Sequence, residues 1–171
     1  MLFLAEPSVA YRDSFIGAVR EFQAEGRQPH YDLNSITADF SAFVQSLHDL
    51  KDRSKLKPGW VLGSDFWLID GDEYIGRLSV RHELNEYLLK IGGHIGYEIR
   101  PSKRMQGYGK EILKLGLEKA KELGLRRVLV TCDEDNIGSK KIIEHNGGKL
   151  ENAVMVEGEP VRKLRYWIDI G

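Results

Sequence analysis

The chain has 171 residues, the ordinary size of one domain, so we expect a single domain spanning residues 1–171. Its 25 basic and 26 acidic side chains give a formal net charge of −1, so no overall positive field would draw it to nucleic acid or to an anionic membrane. A single cysteine, Cys132, excludes an internal disulfide, and the chain begins without a secretory signal pattern. These features predict a cytoplasmic protein with neither a nucleic-acid nor a membrane partner.

The first third of the chain is predicted to form a strand and two helices. Leu2–Ala5 has the composition of a short strand, and the apolar spacing that follows predicts an amphipathic helix ending at Gly26. A second helix is predicted over Phe40 to Leu50, with Ser35 or Thr37 as its N-cap. Both helices precede most of the predicted strands.

The middle of the chain is rich in aromatic and β-branched residues. Three short strands are predicted at Trp60–Leu62, Phe66–Ile69 and Tyr74–Val80. Turn-forming residues separate them at Gly63–Asp65 and Asp70–Glu73. This order predicts an antiparallel meander.

The last part of the chain alternates strands with helices. A strand is predicted over His94–Arg100, a helix over Gly107–Leu123 and a buried strand over Val128–Val130. A shorter helix over Asn136–His145 and a terminal strand over Leu164–Ile170 follow. A strand, a helix and a second strand in this order predict a parallel crossover within an α/β fold.

The segment Arg104–Lys110 places two glycines between a predicted strand and the start of a helix. The first amides of a helix lack intrahelical acceptors and carry partial positive charge, so an anion such as a pyrophosphate suits this position. Arg104 adds a forked donor that matches phosphate. The spacing fits neither a dinucleotide fingerprint nor a P-loop, and a simple tight turn remains the alternative interpretation.

This segment resembles the acetyl-CoA loop of the GNAT superfamily of N-acetyltransferases. The resemblance is carried by Arg104, Gly107 and Gly109, by the strand end Ile99-Arg100-Pro101, and downstream by Asn136 and Ser139. It implies a GNAT-like fold: a mixed central sheet with an antiparallel N-terminal meander, splayed parallel central strands and about four flanking helices. It also implies acetyl-CoA as the acyl donor.

The resemblance further implies which residues bind acetyl-CoA. They lie on the predicted strand, on the loop and at the start of the following helices: Tyr97, Ile99, Arg100, Arg104, Met105, Gln106, Gly107, Tyr108, Gly109, Lys110, Asn136 and Ser139. For Asn136 a helix N-cap is an equally good interpretation. A metal is not expected, because no His and Cys cluster has ligand spacing.

Direct transfer requires that the acceptor amine lose a proton and that the departing thiolate gain one. Glu98, beside the expected thioester, is the first candidate base, with an exposed ion pair as the alternative role. His82 and Glu83, which follow the strand Tyr74–Val80, are second candidates. Family members often have, where this chain has Ile143, a tyrosine that acts as general acid and protonates the thiolate. Tyr166 is therefore proposed as a substitute acid, and packing in the core is the alternative role for this residue.

The sequence does not identify the acceptor beyond a primary amine of a small molecule or a protein. Because the usual tyrosine is missing, a non-catalytic acyl-CoA-binding sensor is the alternative function. The edge of the terminal strand is a candidate surface for pairing in a homodimer.

Overall fold

The computed structural model describes all 171 residues. It contains seven strands and six α-helices. In chain order these are β1 (Leu2–Ala5), α1 (Arg12–Ala24), α2 (Leu33–Ala38), α3 (Phe40–His48), β2 (Gly63–Asp70), β3 (Glu73–Arg81), α4 (Glu86–Lys90), β4 (Ile95–Ile99), α5 (Tyr108–Glu122), β5 (Arg127–Asp133), α6 (Ile137–His145), β6 (Lys149–Val154) and β7 (Lys163–Asp169).

The strands form two antiparallel sheets, one in the order β1-β2-β3-β4 and one in the order β5-β7-β6. Strands β4 and β5 meet at the boundary, where His94 N donates to Leu129 O at 2.8 Å and Leu129 N donates to His94 Nδ1 at 2.9 Å. No ladder joins β4 to β5, so the strands form two antiparallel sheets rather than one mixed sheet, and the two central strands were predicted to splay apart. The end of β4 borders an opening whose other side is formed by the starts of α5 and α6.

Two apolar clusters hold the layers together. The larger lies between the sheets and α5, and includes Leu78, Ile112 and Val130. The smaller lies under α1, α2 and α3, where the ring of Phe15 stacks on that of Trp67 with centroids 4.7 Å apart. The amphipathic pattern of α1 therefore covers one face of the first sheet, while α5 covers the other.

Two predicted boundaries were wrong. Gly63–Asp65 belongs to β2 rather than to a turn, because it pairs with the end of β3, and Trp60–Leu62 lies outside the sheet. The second predicted helix corresponds to α3, and α2 is an unpredicted helix before it that ends where Asp39 leaves the helical conformation (φ −145°, ψ 79°). The N-caps are Asp32 and Asp39, whose carboxylates accept from the amides that begin each helix, and not Ser35 or Thr37.

Strand β6 was not predicted, because its exposed residues lack the apolar alternation of a half-buried strand. It is the edge of the second sheet, and β7 lies between β5 and β6. The terminal strand therefore has no free edge, which removes the surface predicted for homodimer pairing.

Candidate active site

Successive side chains of β4 point to opposite faces of the first sheet. Tyr97 and Ile99 pack against the large cluster on the α5 side. Glu98 faces the other way and meets the loop between α1 and α2, where Gln28 Nε2 donates to its Oε2 at 2.8 Å. One strand therefore supplies residues to both sides of the opening.

The loop before α5 has the geometry of an anion cradle. Gly107 is the N-cap of this 15-residue helix with φ of 86°, a left-handed conformation that favours glycine, and no side chain caps the helix. The six amides from Met105 to Lys110 donate to no carbonyl or side chain of the protein. A run of free amides at the positive end of a long helix dipole is a suitable site for pyrophosphate.

The second glycine of the loop has a packing role. A Cβ atom on Gly109 would lie 2.4 Å from Ile142 Cδ1 of α6. Glycine is needed here so that α5 and α6 can approach each other closely. This close approach brings Asn136 and Ser139 at the start of α6 next to the loop.

The cradle opens into a cavity of about 260 Å³, here called the cradle cavity. It brings together eight of the residues singled out in the sequence: Tyr97, Glu98, Ile99, Arg104, Met105, Gly109, Asn136 and Ser139. Asn136 is also the N-cap of α6, since its Oδ1 accepts from Ser139 N at 3.1 Å. The helix-cap interpretation is therefore correct, and Asn136 still lines the cavity.

Other predicted loop residues are engaged outside the cradle cavity. Gln106 Nε2 donates to Ser102 O at 3.2 Å, and Tyr108 Oη donates to Asp70 Oδ2 at 2.8 Å. Their backbone amides remain free, as does that of Lys110. Gln106 and Tyr108 are therefore placed to contribute amides rather than side chains, and Lys110 contributes a free amide.

The two arginines predicted to contact acetyl-CoA are both paired with glutamates of α1 or its C-terminal end. Arg104 donates to both carboxylate oxygens of Glu25, at 3.0 and 2.6 Å, at the mouth of the cradle cavity. Arg100 is mostly buried, and its Nε donates to Glu21 at 2.8 Å while its own amide donates to Ile75 O. Arg100 therefore joins α1 to the sheet and does not line the cavity, so the structure does not support its predicted role.

Glu98 is held by three donors. Besides Gln28, Arg27 Nη2 lies 3.3 Å from its Oε1, and Arg77 Nε lies 3.5 Å from its Oε2. The ion-pair alternative is thus present, although the Glu98 side chain is 22% exposed and lines the cradle cavity. A carboxylate fixed in orientation at this opening remains a candidate base.

The other two predicted catalytic residues lie elsewhere. His82 Nε2 is 2.8 Å from Ser64 Oγ, and burial lowers the pKa of this histidine. Tyr166 is buried, its Oη donates to Glu144 at 2.9 Å, and burial together with this carboxylate raises its pKa to about 12. Neither residue lines the cradle cavity, so the geometry does not support these two assignments.

A hydroxyl that sequence reasoning did not single out lies beside the cavity. Ile143 is fully buried, whereas Tyr97 Oη is buried near Ser139 without a hydrogen bond of good geometry. Burial raises the pKa of Tyr97 to about 12, although Ser139 opposes the shift. The phenol is therefore a protonated donor without an acceptor.

A larger cavity of about 620 Å³, here called the α3 cavity, lies on the other face of the first sheet. Its walls include Tyr31, Phe43 and Trp60, and its floor is polar: Asp65, Arg77, Ser79 and Arg81. Because Arg77 lines the α3 cavity and Glu98 lines the cradle cavity, their ion pair separates the two. Part of this polar floor could have been predicted from the sequence, because Arg77, Ser79 and Arg81 occupy alternate positions of β3.

The chain matches the acetyltransferase (GNAT) domain family over residues 17–149. It is similar in structure to RimL, a ribosomal α-N-protein acetyltransferase in complex with coenzyme A (TM-score 0.71, 18% identity, 99% of this chain and 94% of that chain). It is also similar to a Salmonella typhimurium acetyltransferase that modifies the N-terminal serine of a 50S ribosomal subunit protein (TM-score 0.69, 20% identity, 99% of this chain and 95% of that chain). A third similar structure is that of MccE, the microcin C7 self-immunity acetyltransferase, in complex with acetyl-CoA and AMP (TM-score 0.70, 14% identity, 99% of this chain and 92% of that chain). Among curated proteins none matches this sequence.

The family match covers most of the chain, and the chain therefore belongs to the GNAT acetyltransferase family. It is an acetyl-CoA-dependent acetyltransferase, and the predicted fold class and acyl donor are confirmed. The sensor alternative is not favoured by this membership.

None of the helices is long and apolar enough to cross a membrane. The structure has no group of three or more His, Cys, Asp or Glu side chains arranged to hold a metal ion. Burial raises the pKa of Cys132 to about 11, which favours the thiol over the thiolate needed for nucleophilic catalysis.

Proposed function

We propose that this protein transfers the acetyl group directly to a primary amine that enters from the α3 cavity and reaches the thioester beside Glu98. The observation that carries this proposal is the run of six free amides from Met105 to Lys110, opening into a cavity bordered by β4. Acetyl-CoA supplies an activated acetyl thioester when bound there.

The cradle amides would hold the pyrophosphate, and Arg104 would add its fork after leaving Glu25. Asn136, Ser139 and the backbone of Tyr97 and Ile99 line the cavity that would receive the pantetheine arm. The arm can enter because β4 and β5 have no ladder between them. Apart from that of Arg104, these contacts come from β4 and from the starts of α5 and α6, which favours a preorganised site.

Glu98 would accept the proton of the attacking amine. The C–N bond forms as the C–S bond breaks, and the thiolate takes up a proton from Tyr97 Oη or from water. An ammonium with a pKa near 10.4 is less than about 1% neutral at pH 7, so a positioned base is expected to raise the rate about 10²- to 10⁴-fold. Glu98 meets this need because it faces both the opening and the α1–α2 loop.

The test is acetyl-CoA binding by calorimetry together with coenzyme A release in a screen of primary amines. We expect acetyl-CoA to bind, and at least one class of amine to raise coenzyme A release above hydrolysis. Binding without amine-dependent release from any class would contradict direct transfer.

A further inference from the structure

Gln28, in the loop between α1 and α2, makes the shortest contact to the proposed base. Its Nε2 donates to Glu98 Oε2 at 2.8 Å. Arg27 Nη2 and Arg77 Nε lie 3.3 and 3.5 Å from the same carboxylate. Hydrogen bonds from N–H groups to oxygen are normally about 2.7 to 3.2 Å long, and of these three contacts only that of Gln28 lies in this range. The orientation of Glu98 therefore depends most on Gln28, a side chain that is only 6% exposed.

The backbone of Gln28 has a conformation that favours glycine. Its φ is 52°, in the left-handed region, where a side chain lowers stability. Gln23 of α1 fixes this turn, because its Nε2 donates to Gln28 O at 3.2 Å and to Tyr31 O at 2.7 Å. Tyr31 N donates to Gln28 O as well, at 3.2 Å. These bonds use only the backbone of Gln28, so the turn does not require its side chain.

The side chain of Gln28 has a second unfavourable feature. Its Oε1 is buried and accepts no hydrogen bond in the structure. A buried amide oxygen without a donor costs free energy that an apolar side chain of similar length would avoid. The backbone conformation and the oxygen both lower stability, so stability does not explain a glutamine at this position. What the glutamine supplies is an N–H group that donates to Glu98.

Resting on the proposed function, we infer that Gln28 is a positioning residue for acetyl transfer, which holds the Glu98 carboxylate in the orientation that accepts the proton of the attacking amine. A carboxylate that rotates freely would have this orientation only part of the time, and a displacement of about 1 Å can lower a rate about 100-fold. The same loop carries Tyr31, which lines the α3 cavity. The loop therefore connects the proposed entrance for the amine with the proposed base.

The test is a double-mutant cycle of Gln28→Gly and Glu98→Gln. It measures kcat with acetyl-CoA and the primary amine that gives the fastest coenzyme A release in the screen above. Glycine suits the left-handed backbone, so we expect Gln28→Gly to fold, to keep its acetyl-CoA affinity and to have a kcat about 10- to 100-fold lower. In the Glu98→Gln background the same substitution should change kcat less than about twofold, because the base that Gln28 positions is absent.

Gln28→Met is the second variant, because methionine keeps the length of the side chain and removes the N–H group. It should lower kcat to a similar extent, and it decides the question if Gln28→Gly does not fold. The matched control is Gln45→Met. Gln45 Nε2 donates to the carboxylate of Asp49 at 2.9 Å, and Gln45 lines neither cavity. This control removes the same kind of hydrogen bond and should leave kcat unchanged.

A wild-type kcat in Gln28→Gly and Gln28→Met, together with a low kcat in Glu98→Gln, would overturn the inference and leave the proposed function standing. An equal loss of kcat from Gln28→Gly in both backgrounds would also overturn it, because the effect would not depend on Glu98. If Glu98→Gln keeps the wild-type kcat, the proposed role of Glu98 fails and the inference fails with it. If wild type acetylates no amine, the proposed function itself is wrong, and so is the inference.

Discussion

Arg77 and Glu98 lie directly opposite each other on β3 and β4, and Arg77 Nε is 3.5 Å from Glu98 Oε2. This ion pair stands between the α3 cavity and the cradle cavity, which are lined by Arg77 and by Glu98 respectively. An amine that reaches the thioester from the α3 cavity therefore has to pass these two side chains. Glu98 is positioned by this contact at the point where the two substrates would meet.

Replacing Glu98 with Gln should lower kcat about 100-fold or more, because the amide keeps the shape of the carboxylate but cannot accept the amine proton. Acetyl-CoA affinity should be unchanged, as measured by calorimetry. The control is Glu83→Gln, an exposed glutamate whose partner is Arg53 and which lines neither cavity. A Glu98→Gln enzyme with wild-type kcat would show that the proton leaves by another route.

Gly107→Glu should abolish detectable acetyl-CoA binding, because it adds a negative charge beside the free amides. Gly124→Glu is the matched control: this glycine ends the same helix, has φ of 92°, and like Gly107 has open space around its Cβ position. Both variants should lose about 1–2 kcal/mol of unfolding free energy from the left-handed conformation. Only Gly107→Glu should lose binding, and equal loss in both would refute the cradle.

Gly109→Ala should destabilise the protein by about 1–3 kcal/mol, since its methyl group would overlap Ile142 Cδ1 at 2.4 Å. Ile142→Ala in the same chain should recover part of this loss by making room. Urea denaturation of the single and double variants measures the coupling. Additive effects of the two substitutions would mean that Gly109 is not needed for the approach of α5 and α6.

Glu25→Gln should tighten acetyl-CoA binding by up to about fivefold, because Arg104 no longer has to leave a carboxylate to reach the phosphates. The hydrogen bond from Arg104 lowers the pKa of Glu25, which keeps this glutamate charged at neutral pH. Arg104→Ala should weaken binding, and binding by this variant should depend less on salt than binding by wild type. Tighter acetyl-CoA binding by Arg104→Ala would contradict the proposed competition between Glu25 and the phosphates for Arg104.

His94 should make the protein less stable as the pH falls from 7 to 5. Burial, helped by Arg81, lowers the pKa of His94 in the folded state, while the unfolded chain keeps a value of about 6.5. The unfolded state therefore binds more protons between these two values, so stability rises with pH across that window. We therefore expect a lower Tm at pH 5 than at pH 7.

His94→Gln should flatten this pH dependence, since its amide oxygen can still accept from Leu129 N. Burial also lowers the pKa of His82, so His82→Gln is the control for a second contribution of the same sign. Thermal unfolding at several pH values between 5 and 7 checks both. If the dependence of Tm on pH is unchanged in both variants, neither histidine causes it.

The sequence by itself determined the periodic elements and the cradle. The helix from Gly107 and the buried strand after it have strong apolar periods, and the glycines between strand and helix predict an anion site by local geometry alone. These properties depend on residues that are close in sequence, so they can be predicted from the sequence alone. The cap at Asn136 is local in the same way.

Only the tertiary structure decided which polar side chains face a cavity. A strand residue can point to either face of its sheet. The pairing of β2 with β3 and of β3 with β4 places Asp65, Arg77 and Glu98 on the same face. His82 and Tyr166 found partners elsewhere, in Ser64 and Glu144, which are distant in sequence. Such contacts depend on how the sheets pack and not on local pattern, so they could not be predicted from spacing.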